Sequence, residues 1–223
     1  MITLSVVTIN LNNAKGLNRT LNSMFSCKMN FEIIVVDGLS NDDSVSKVNN
    51  SKLFNKIKLI TEKDKGVYDA MNKGIKASRG EWIIFMNSGD TFYDFSEIND
   101  IIINNSSADV IYGKYIHSNI VRDFYDLSYL QKGVIHACHQ SMIFNKNRLK
   151  HNLFYSDQYK IYGDYELVNR IYLQGFNFKS VNNVISDFEG GGMSSDISWL
   201  KRKEKFLIVF RNYGVKGLIN AFL

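Results

Sequence analysis

The sequence predicts an α/β fold, in which a mostly parallel β-sheet is flanked by helices and a region of looser pattern follows Asp90. Two observations predict it. Short apolar runs alternate with amphipathic segments through the first half of the chain, which is typical of βαβ units whose strands are buried on both faces. The 223 residues are also 45% hydrophobic, which suits one buried core. We therefore expect a single domain.

Four apolar runs are the predicted strands of the parallel half, at residues 4–9, 31–36, 57–61 and 81–86. Between them, two segments carry apolar residues at helical spacing. The first contains Leu17, Leu21, Met24 and Phe25, and the second contains Val67, Met71 and Ile75. We expect the second helix to end by Gly80, and the crossovers to be right-handed.

The second half of the chain predicts fewer elements. A hairpin is expected from residues 109–117 and 120–124, a strand at 140–144, and a helix at 165–174 that Gly175 closes. The segment after Met193 is basic and apolar and has the pattern of a helix. No internal repeat interrupts the chain, so these elements should extend the same α/β unit.

Charge and cysteine usage limit the classes of partner. The formal net charge of +5 suits a phosphate-bearing ligand, a nucleic acid or an anionic membrane. Because the lysines are spread along the chain, we expect no nucleic-acid partner. Cys27 and Cys138 have no metal-type spacing, which predicts core thiols in a reducing cytoplasm. Neither a signal-peptide pattern nor an apolar run of about 18 residues is present, so we expect a protein that is soluble or lies on a membrane surface.

Polar side chains follow each of the four predicted parallel strands, where ligands bind in open sheets. They are Asn10, Asp37, Asp64 with Lys65, and residues 87–90. Turn and helix-cap preferences explain any one of these positions, but explain all four together less well. An acidic side chain beside a diphosphate needs a bridging cation, so Asp90 is the predicted ligand of Mg²⁺ or Mn²⁺.

Three segments in this order resemble the family 2 glycosyltransferases, which have the Rossmann-like GT-A fold: SVVTIN, EIIVVDGLSNDDS and EKDKGVYDAMNKGIKASRGEWIIFMNSGD. The similarity covers roughly residues 1–90, with looser support from YGDYEL and EGGGMS. It implies one GT-A domain over residues 1–223. Residues 1–95 would form the nucleotide-sugar half, residues 96–195 the acceptor and catalytic half, and residues 196–223 a basic amphipathic helix.

The resemblance implies a donor pocket at the strand ends. It places Thr8 and Asn10 in the wall of the nucleotide pocket and makes Asp37 the carboxylate that recognises uracil, since a carboxylate accepts the N–H of the base in a charge-assisted hydrogen bond. Three further polar residues would surround the donor sugar or the ribose: Asp64, Asp69 and Asn72. For Asp69 the alternative is a solvated helix face.

The segment MNSGD resembles the DxD-type metal site of the family but departs from it. Asn87 and Ser88 stand where a carboxylate is common, which leaves Asp90 as the only acid in the loop. One carboxylate, two donor phosphates and waters can complete an octahedral shell. We therefore expect Mn²⁺ or Mg²⁺ to be used, with weak binding of the free ion.

Glycosyl transfer also needs a base that removes the proton of the acceptor hydroxyl. The resemblance makes Asp164 in YGDYEL this base and implies an inverting reaction. Propensity alone makes Asp164 equally good as the N-cap of the helix at 165–174. Glu166 is the rival base.

Other polar residues are weaker candidates. HACHQSMIFN resembles the family segment that precedes the base, which would bring His139 and Gln140 to the acceptor or the diphosphate, although a single histidine there is more often structural. His136 is a weaker candidate still. Gly191 and Gly192 belong to EGGGMSS, which predicts either a mobile loop that closes over the donor or an ordinary turn.

The predicted function is transfer of one sugar per encounter from a UDP-sugar to a glycan or a polyprenyl-diphosphate-linked acceptor, in bacterial surface polysaccharide synthesis of the O-antigen kind. The basic C-terminal helix would either rest on the anionic inner face of the cytoplasmic membrane or pack on the domain. Two alternatives are a sugar nucleotidyltransferase, which would normally show a Gly-rich loop after the first strand, and a silent glycan-binding module.

Overall fold

The computed structural model describes residues 3–25, 29–190 and 198–222. Its strands are β1 (Leu4–Asn10), β2 (Phe31–Asp37), β3 (Ile57–Thr61), β4 (Trp82–Phe85), β5 (Thr91–Phe92), β6 (Val110–His117), β7 (Ile120–Arg122), β8 (Met142–Asn145) and β9 (Phe178–Phe188). Its helices are α1 (Ala14–Asn22), α2 (Ser44–Asn49), α3 (Val67–Ala77), α4 (Ile98–Asn104), α5 (Lys146–Leu149), α6 (Gly163–Leu173) and α7 (Ser198–Phe222). Short 3₁₀ turns connect several of them.

In the described part of the chain, the nine strands form one mixed sheet in the order β3-β2-β1-β4-β8-β6-β9-β5, with β7 paired to β6. The strands β1 to β4 are parallel, and β8 joins β4 in the antiparallel direction. The strand β6 then pairs antiparallel with β8 and parallel with β9. The predicted α/β class and parallel first half are thus confirmed, and the predicted hairpin of β6 and β7 forms.

Helices cover both faces of the sheet because successive side chains of a strand point to opposite sides. All seven residues of β2 are buried. Ile34 and Val36 pack on the side of α3, α6 and α7, whereas Ile33 and Val35 pack on the side of α1 and α4. Two apolar clusters therefore stabilise one sheet from opposite faces.

A glycine sets the close approach of α3 to β1. A Cβ atom added at Gly74 would lie 2.3 Å from Cγ1 of Val7, well inside van der Waals contact. The helix α3 therefore lies directly on the strand that ends at Asn10. This contact places the first turn of α3 beside the polar strand ends.

Several predicted boundaries are wrong by a few residues. The helix α3 ends at Ala77 and not at Gly80, because Ser78 is extended and the Gly80 amide donates to the Ser5 hydroxyl oxygen at 2.9 Å. The strand predicted from residue 140 begins at Met142, after a 3₁₀ turn at His139–Ser141. The elements α2, α4, α5, β5 and β9 carry patterns too short or too polar to have been predicted.

The C-terminal helix α7 packs on the domain. Ile208 and Val209 are buried in the cluster on the α3 and α6 side of the sheet. At Gly214 the helix breaks, with φ 63° and ψ −157°, so that the chain turns back and the Lys205 ammonium donates to the carbonyl oxygen of Ala221 at 3.2 Å. One side of α7 therefore packs on the domain, and contact of its outward side with a membrane stays a prediction. Within the described ranges, no helix has both the length and the apolar content that crossing a bilayer requires.

Candidate active site

The ends of β1 and β2 hold a rigid carboxylate. Asn10 and Asp37 are paired in register, and the Asn10 amide donates to Oδ1 of Asp37 at 2.8 Å. The Ser40 hydroxyl donates to the same oxygen at 2.6 Å, and the Ser40 amide donates to Oδ2 at 2.9 Å. Asp37 is 1% exposed. The sequence analysis missed Ser40, although a serine three residues after an aspartate is a recognisable turn signal.

Two polar atoms near this carboxylate have no partner. The hydroxyl oxygen of Thr8 and Oδ1 of Asn10 are both buried without a hydrogen bond in the described structure. Buried polar atoms normally find partners, so unpaired ones at a strand end indicate a position where a ligand supplies them. Thr8 and Asn10 thus lie where a nucleotide pocket was predicted, and contact with a nucleotide stays a prediction.

Asp64 lies against the turn that follows β2. A Cβ atom added at Gly38 would lie 2.9 Å from Oδ2 of Asp64. The Lys73 ammonium contacts Oδ1 of Asp64 at 2.7 Å and Oδ2 of Asp69 at 3.4 Å. The Lys65 amide donates to Asp69 at 2.9 Å and, together with Lys73, holds the pKa of Asp69 below its ordinary value. Lys73 therefore balances the acidic side chains at this edge.

Asn72 connects α3 to the second half of the chain. Its amide nitrogen donates to the carbonyl oxygen of Tyr155 at 2.9 Å, and its amide oxygen accepts from the Tyr155 N–H at 2.9 Å. Both polar atoms of the side chain are therefore engaged with one backbone unit. This pairing fixes the segment before α6 against α3, and the predicted contact of Asn72 with the donor stays untested.

The loop from Asn87 to Asp90 is held by hydrogen bonds from three directions. Gln140 donates to Oδ2 of Asp90 at 2.6 Å, and the Glu189 amide donates to Oδ1 at 3.0 Å. The buried hydroxyl of Thr20 donates to the Asp90 carbonyl oxygen at 2.7 Å and accepts from the Gly89 amide at 3.0 Å. Thr20 was missed because it reads as an ordinary helical residue. Burial raises the pKa of Asp90.

The oxygen atoms of this loop could bind a divalent cation only if a bound ligand supplied further oxygens. Oδ1 of Asn87 and Oγ of Ser88 are buried oxygens without partners, which fits a hard divalent ion that prefers oxygen. Across residues 3–25, 29–190 and 198–222, no group of three or more His, Cys, Asp or Glu could hold a metal. Asp90 and the two neutral side chains therefore need phosphate oxygens to complete a coordination shell.

A cavity of about 620 Å³ joins this loop to the predicted base. Its wall includes Asn87 from the loop, His139 and Gln140 from the 3₁₀ turn, and Asp164 from α6. Oδ2 of Asp164 lies 3.5 Å from Nδ1 of His139, and the Asp164 side chain is 28% exposed. Its Oδ1 atom is buried without a partner. Burial raises the pKa of Asp164, and the charge of His139 opposes this shift.

Asp164 is not an N-cap. The helix α6 begins at Gly163, its N-cap is Tyr162, and the Tyr162 side chain makes no capping hydrogen bond. The Tyr68 hydroxyl takes this role in part, because it accepts from the amides of Gly163 at 3.0 Å and Asp164 at 3.4 Å and donates to the Ile161 carbonyl oxygen at 2.8 Å. The capping alternative is therefore wrong, and the carboxylate is left to face the cavity.

A buried acid on α7 holds the segment before α6. Glu204 is 4% exposed, and its carboxylate accepts from the amides of Lys160 at 2.9 Å, Ile161 at 3.0 Å and Tyr162 at 2.9 Å. In the sequence, Glu204 stands inside the charged run KRKEK, which indicates a solvated surface. Sequence reasoning therefore missed both Tyr68 and Glu204, the two side chains that position Asp164.

Glu166, the rival base, is not among the residues that line the cavity. Glu166 pairs with Arg170 at 2.9 Å, and Arg170 also donates to the carbonyl oxygens of Asn152 and Phe154. The rival base is thus engaged in an internal ion pair. Gly191 and Gly192 lie outside the described residues.

Cys138 and His136 lie next to the 3₁₀ turn that carries His139. Cys138 is half-buried and lines the cavity, so it is not the core thiol that was predicted, and desolvation raises the pKa of its thiol to about 12. Cys27 lies outside the described residues. His136 is fully buried, and its ring packs against Tyr112 and Phe178. Burial lowers the pKa of His136 to about 4. His136 is therefore a neutral core residue.

The profile of glycosyl transferase family 2 matches residues 5–170. The chain is 26% identical over 187 residues to the PGL/p-HBAD biosynthesis glycosyltransferase of Mycobacterium bovis, which covers 77% of this chain and 72% of the relative. It is also 38% identical over 92 residues to an uncharacterized glycosyltransferase of Mycobacterium tuberculosis. That alignment covers 40% of this chain and 35% of the relative.

Solved structures with the same fold have lower identity. The chain is similar to S. aureus TarS in complex with UDP-GlcNAc, with TM-score 0.76 and 20% identity over 100% of this chain and 68% of that one. It is also similar to the mannosyltransferase PcManGT of Pyrobaculum calidifontis in complex with GDP-Man and Mn²⁺, with TM-score 0.69 and 13% identity over 93% of this chain and 63% of that one. The sheet therefore has the GT-A arrangement. Since the family profile spans most of the chain as well, this protein is a glycosyltransferase that belongs to glycosyl transferase family 2.

Proposed function

We propose that this protein is an inverting, metal-dependent glycosyltransferase that moves one sugar from a UDP-sugar to an acceptor in bacterial surface polysaccharide synthesis. The observation that carries the proposal is the shared cavity, into which both the loop at Asn87 and the carboxylate of Asp164 open. Such a cavity can hold a donor sugar between a diphosphate site and a base. The first part of the chain would serve the donor, and the second part would serve the acceptor.

The nucleotide would bind at the ends of β1 and β2. Asp37 is buried and fixed by Asn10 and Ser40, so it loses little freedom when it accepts the N–H of a uracil ring. The unpaired atoms of Thr8 and Asn10 supply further polar contacts in the same wall. The solved relative TarS was crystallised with UDP-GlcNAc, which favours UDP as the nucleotide to test first.

The diphosphate would lie at the loop of Asn87, Ser88 and Asp90. A divalent cation bound there would neutralise charge that develops on the leaving diphosphate. Asp90 would hold it as the single carboxylate, and the unpaired oxygens of Asn87 and Ser88 would add neutral contacts. Thr20 and Gln140 keep the loop in place. This donor set predicts affinity for the metal that rises when UDP is present.

Asp164 would remove the proton of the acceptor hydroxyl. Its Oδ1 atom has no partner, and its carboxylate opens into the cavity. Tyr68 and Glu204 fix the backbone on its N-terminal side, so that the carboxylate is held while the acceptor approaches. A base on the face of the sugar opposite the diphosphate produces inversion.

The acceptor is proposed to be a glycan or a lipid-diphosphate-linked sugar. The outward face of α7 carries three exposed aromatic side chains, Trp199, Phe206 and Phe210, next to the exposed cations Arg202 and Lys203. A helix face that combines aromatic and basic side chains suits an anionic membrane surface. We propose that this face rests on the cytoplasmic side of the membrane, where lipid-linked acceptors occur.

Calorimetric titration with UDP, GDP and dTDP, each with and without Mn²⁺, tests the donor site. We expect UDP to bind most tightly, Mn²⁺ to strengthen its binding, and Asp90→Ala to remove the metal effect. Asp37→Asn should weaken UDP binding roughly 10-fold or more, whereas the exposed Asp43→Asn serves as the matched control. Absence of nucleotide binding under all conditions would refute the proposal.

Release of UDP from UDP-sugars in the presence of acceptors then separates an enzyme from a silent binding module. A silent module binds UDP but releases none from UDP-sugars at any acceptor concentration. A glycosyltransferase releases UDP in proportion to the sugar transferred.

A further inference from the structure

We propose that Lys160, Lys201 and Lys205 form a phosphate-binding subsite for the acceptor, at the α7 end of the cavity. The inference rests on the proposed function, because it assigns the ligand of the acceptor side. The chemical class of the ligand is a phosphate monoester or diphosphate attached to the acceptor. A lipid carrier and a soluble phosphate-bearing glycan both provide this group.

The three lysines converge although two elements carry them. Lys160 comes from the segment before α6, and Lys201 and Lys205 lie one turn apart on the inner side of α7. All three line the cavity that Asp164 also lines. The buried carboxylate of Glu204 accepts from the backbone amide of Lys160, so the segment and the helix are fixed to one another. The backbone positions from which the lysine side chains extend are therefore fixed relative to one another.

Within residues 3–25, 29–190 and 198–222, no carboxylate lies within ion-pair distance of the three ammonium groups. The Lys205 ammonium donates to the Ala221 carbonyl oxygen at 3.2 Å and lies 5.0 Å from the centre of the Phe222 ring, so its two contacts are uncharged. Glu204, the nearest acid in sequence, is occupied by three backbone amides. The stem of Lys205 lies over Gly133, where an added Cβ would be 2.2 Å from Cε. A partly buried ammonium without a counter-charge favours binding of an anion.

Burial lowers the pKa of Lys205, as expected for a cation that has given up water without gaining an acid. A bound phosphate would oppose this shift and keep the side chain charged. The cavity position of Lys205 and the desolvation of its ammonium therefore both favour an anionic ligand.

The subsite would be separate from the nucleotide end of the donor site. All three lysines line the same cavity as Asp164, whereas Asp37 and Asp90 are not among the lining residues of that cavity. An acceptor bound through its phosphate at the lysines would extend along the cavity wall, with its hydroxyl toward Asp164.

The test is calorimetric binding of geranyl diphosphate, glycerol 3-phosphate and geraniol, measured without UDP and again with UDP and Mn²⁺ at saturation. The test variant combines Lys160→Gln, Lys201→Gln and Lys205→Gln. The control combines Lys47→Gln, Lys179→Gln and Lys216→Gln, which removes the same charge from exposed positions outside the cavity. Thermal unfolding of both variants checks that the fold is kept.

We expect the test variant to bind geranyl diphosphate at least 10-fold more weakly than the wild type, with the control unchanged and UDP affinity unchanged in both. An equal loss of glycerol 3-phosphate would show that the phosphate alone suffices, whereas a loss confined to geranyl diphosphate would assign the subsite to a lipid carrier.

Four results would overturn the proposal. The first two are that neither phosphate probe binds the wild type, and that the test variant and the control lose affinity for geranyl diphosphate equally. The third is that geraniol binds as tightly as geranyl diphosphate. The fourth is that the test variant binds UDP more weakly than the wild type. The last result would assign the lysines to the donor. The probes are also measured without UDP. If UDP failed to bind, the proposed function would be refuted, but the binding of the phosphate probes would still test the lysine subsite.

Discussion

Nδ1 of His139 lies 3.5 Å from Oδ2 of Asp164, at the wall of the cavity. The two residues come from different elements, a 3₁₀ turn before β8 and the first turn of α6. His139 faces the carboxylate with one ring nitrogen, and its Nε2 atom is buried without a partner. His139 therefore contacts the proposed base directly, and contact of its other nitrogen with the acceptor or the diphosphate stays a prediction.

Replacement of Asp164 by asparagine should lower the transfer rate roughly 10²- to 10⁴-fold, the usual contribution of a general base. Asparagine keeps the shape of the side chain but cannot take up the proton. UDP affinity should remain unchanged, because the proposed nucleotide contacts are Asn10 and Asp37, which do not line the cavity with Asp164. Sugar transfer and UDP binding are measured on the same preparation. Asp157→Asn, at an exposed position in the preceding segment, is the control, and a similar loss there would contradict the assignment.

The pH dependence of kcat/KM should report the shifted pKa of Asp164. Burial raises this pKa, so activity should fall at a higher pH than expected for an ordinary aspartate as the carboxylate becomes protonated. The charge of His139 opposes the shift. His139→Gln should therefore move the acidic limb of the profile to still higher pH. If the acidic limb stayed in place or moved to lower pH, His139 would not lower the pKa of Asp164.

Glu204→Ala should reduce both stability and transfer. Three backbone amides lose their acceptor inside the protein, which we expect to cost about 3 kcal/mol of unfolding free energy. Urea unfolding measures this change. Glu204→Gln retains one acceptor oxygen and should lie between wild type and alanine. At a temperature where all three proteins are folded, kcat should fall more than UDP affinity. An unchanged kcat would show that Glu204 does not position Asp164.

His136 should make the protein less stable as the pH falls. Its pKa is lowered on folding from 6.5 to about 4, so the unfolded chain takes up a proton in this window and the folded chain does not. The free energy of unfolding should therefore decrease by about 2 kcal/mol between pH 7 and pH 5. Urea unfolding at several pH values measures the slope. In His136→Phe this contribution should disappear, whereas the exposed His151→Gln should keep it.

The sequence determined the parallel half of the fold, because its strands carry long apolar runs and its turns carry their own polar signals. The positions of Asn10, Asp37 and Asp90 follow from the strands that end beside them, since parallel strands bring their carboxyl ends to one edge. The strand β9 could not be predicted in the same way. Its polar residues form a strand because β6 and β5 supply partners on either side.

The tertiary structure alone decided how Asp164 is held. Tyr68 reaches it from 96 positions earlier in the chain, and Glu204 fixes the segment before it from 42 to 44 positions later. Neither side chain carries a local signal, because a tyrosine on a helix and a glutamate in a charged run both suit an ordinary surface. The periodicity of apolar residues predicts which face of a helix or strand is buried. It does not predict which distant backbone amide a buried hydroxyl or carboxylate will bind, since that depends on how the helices pack on the sheet.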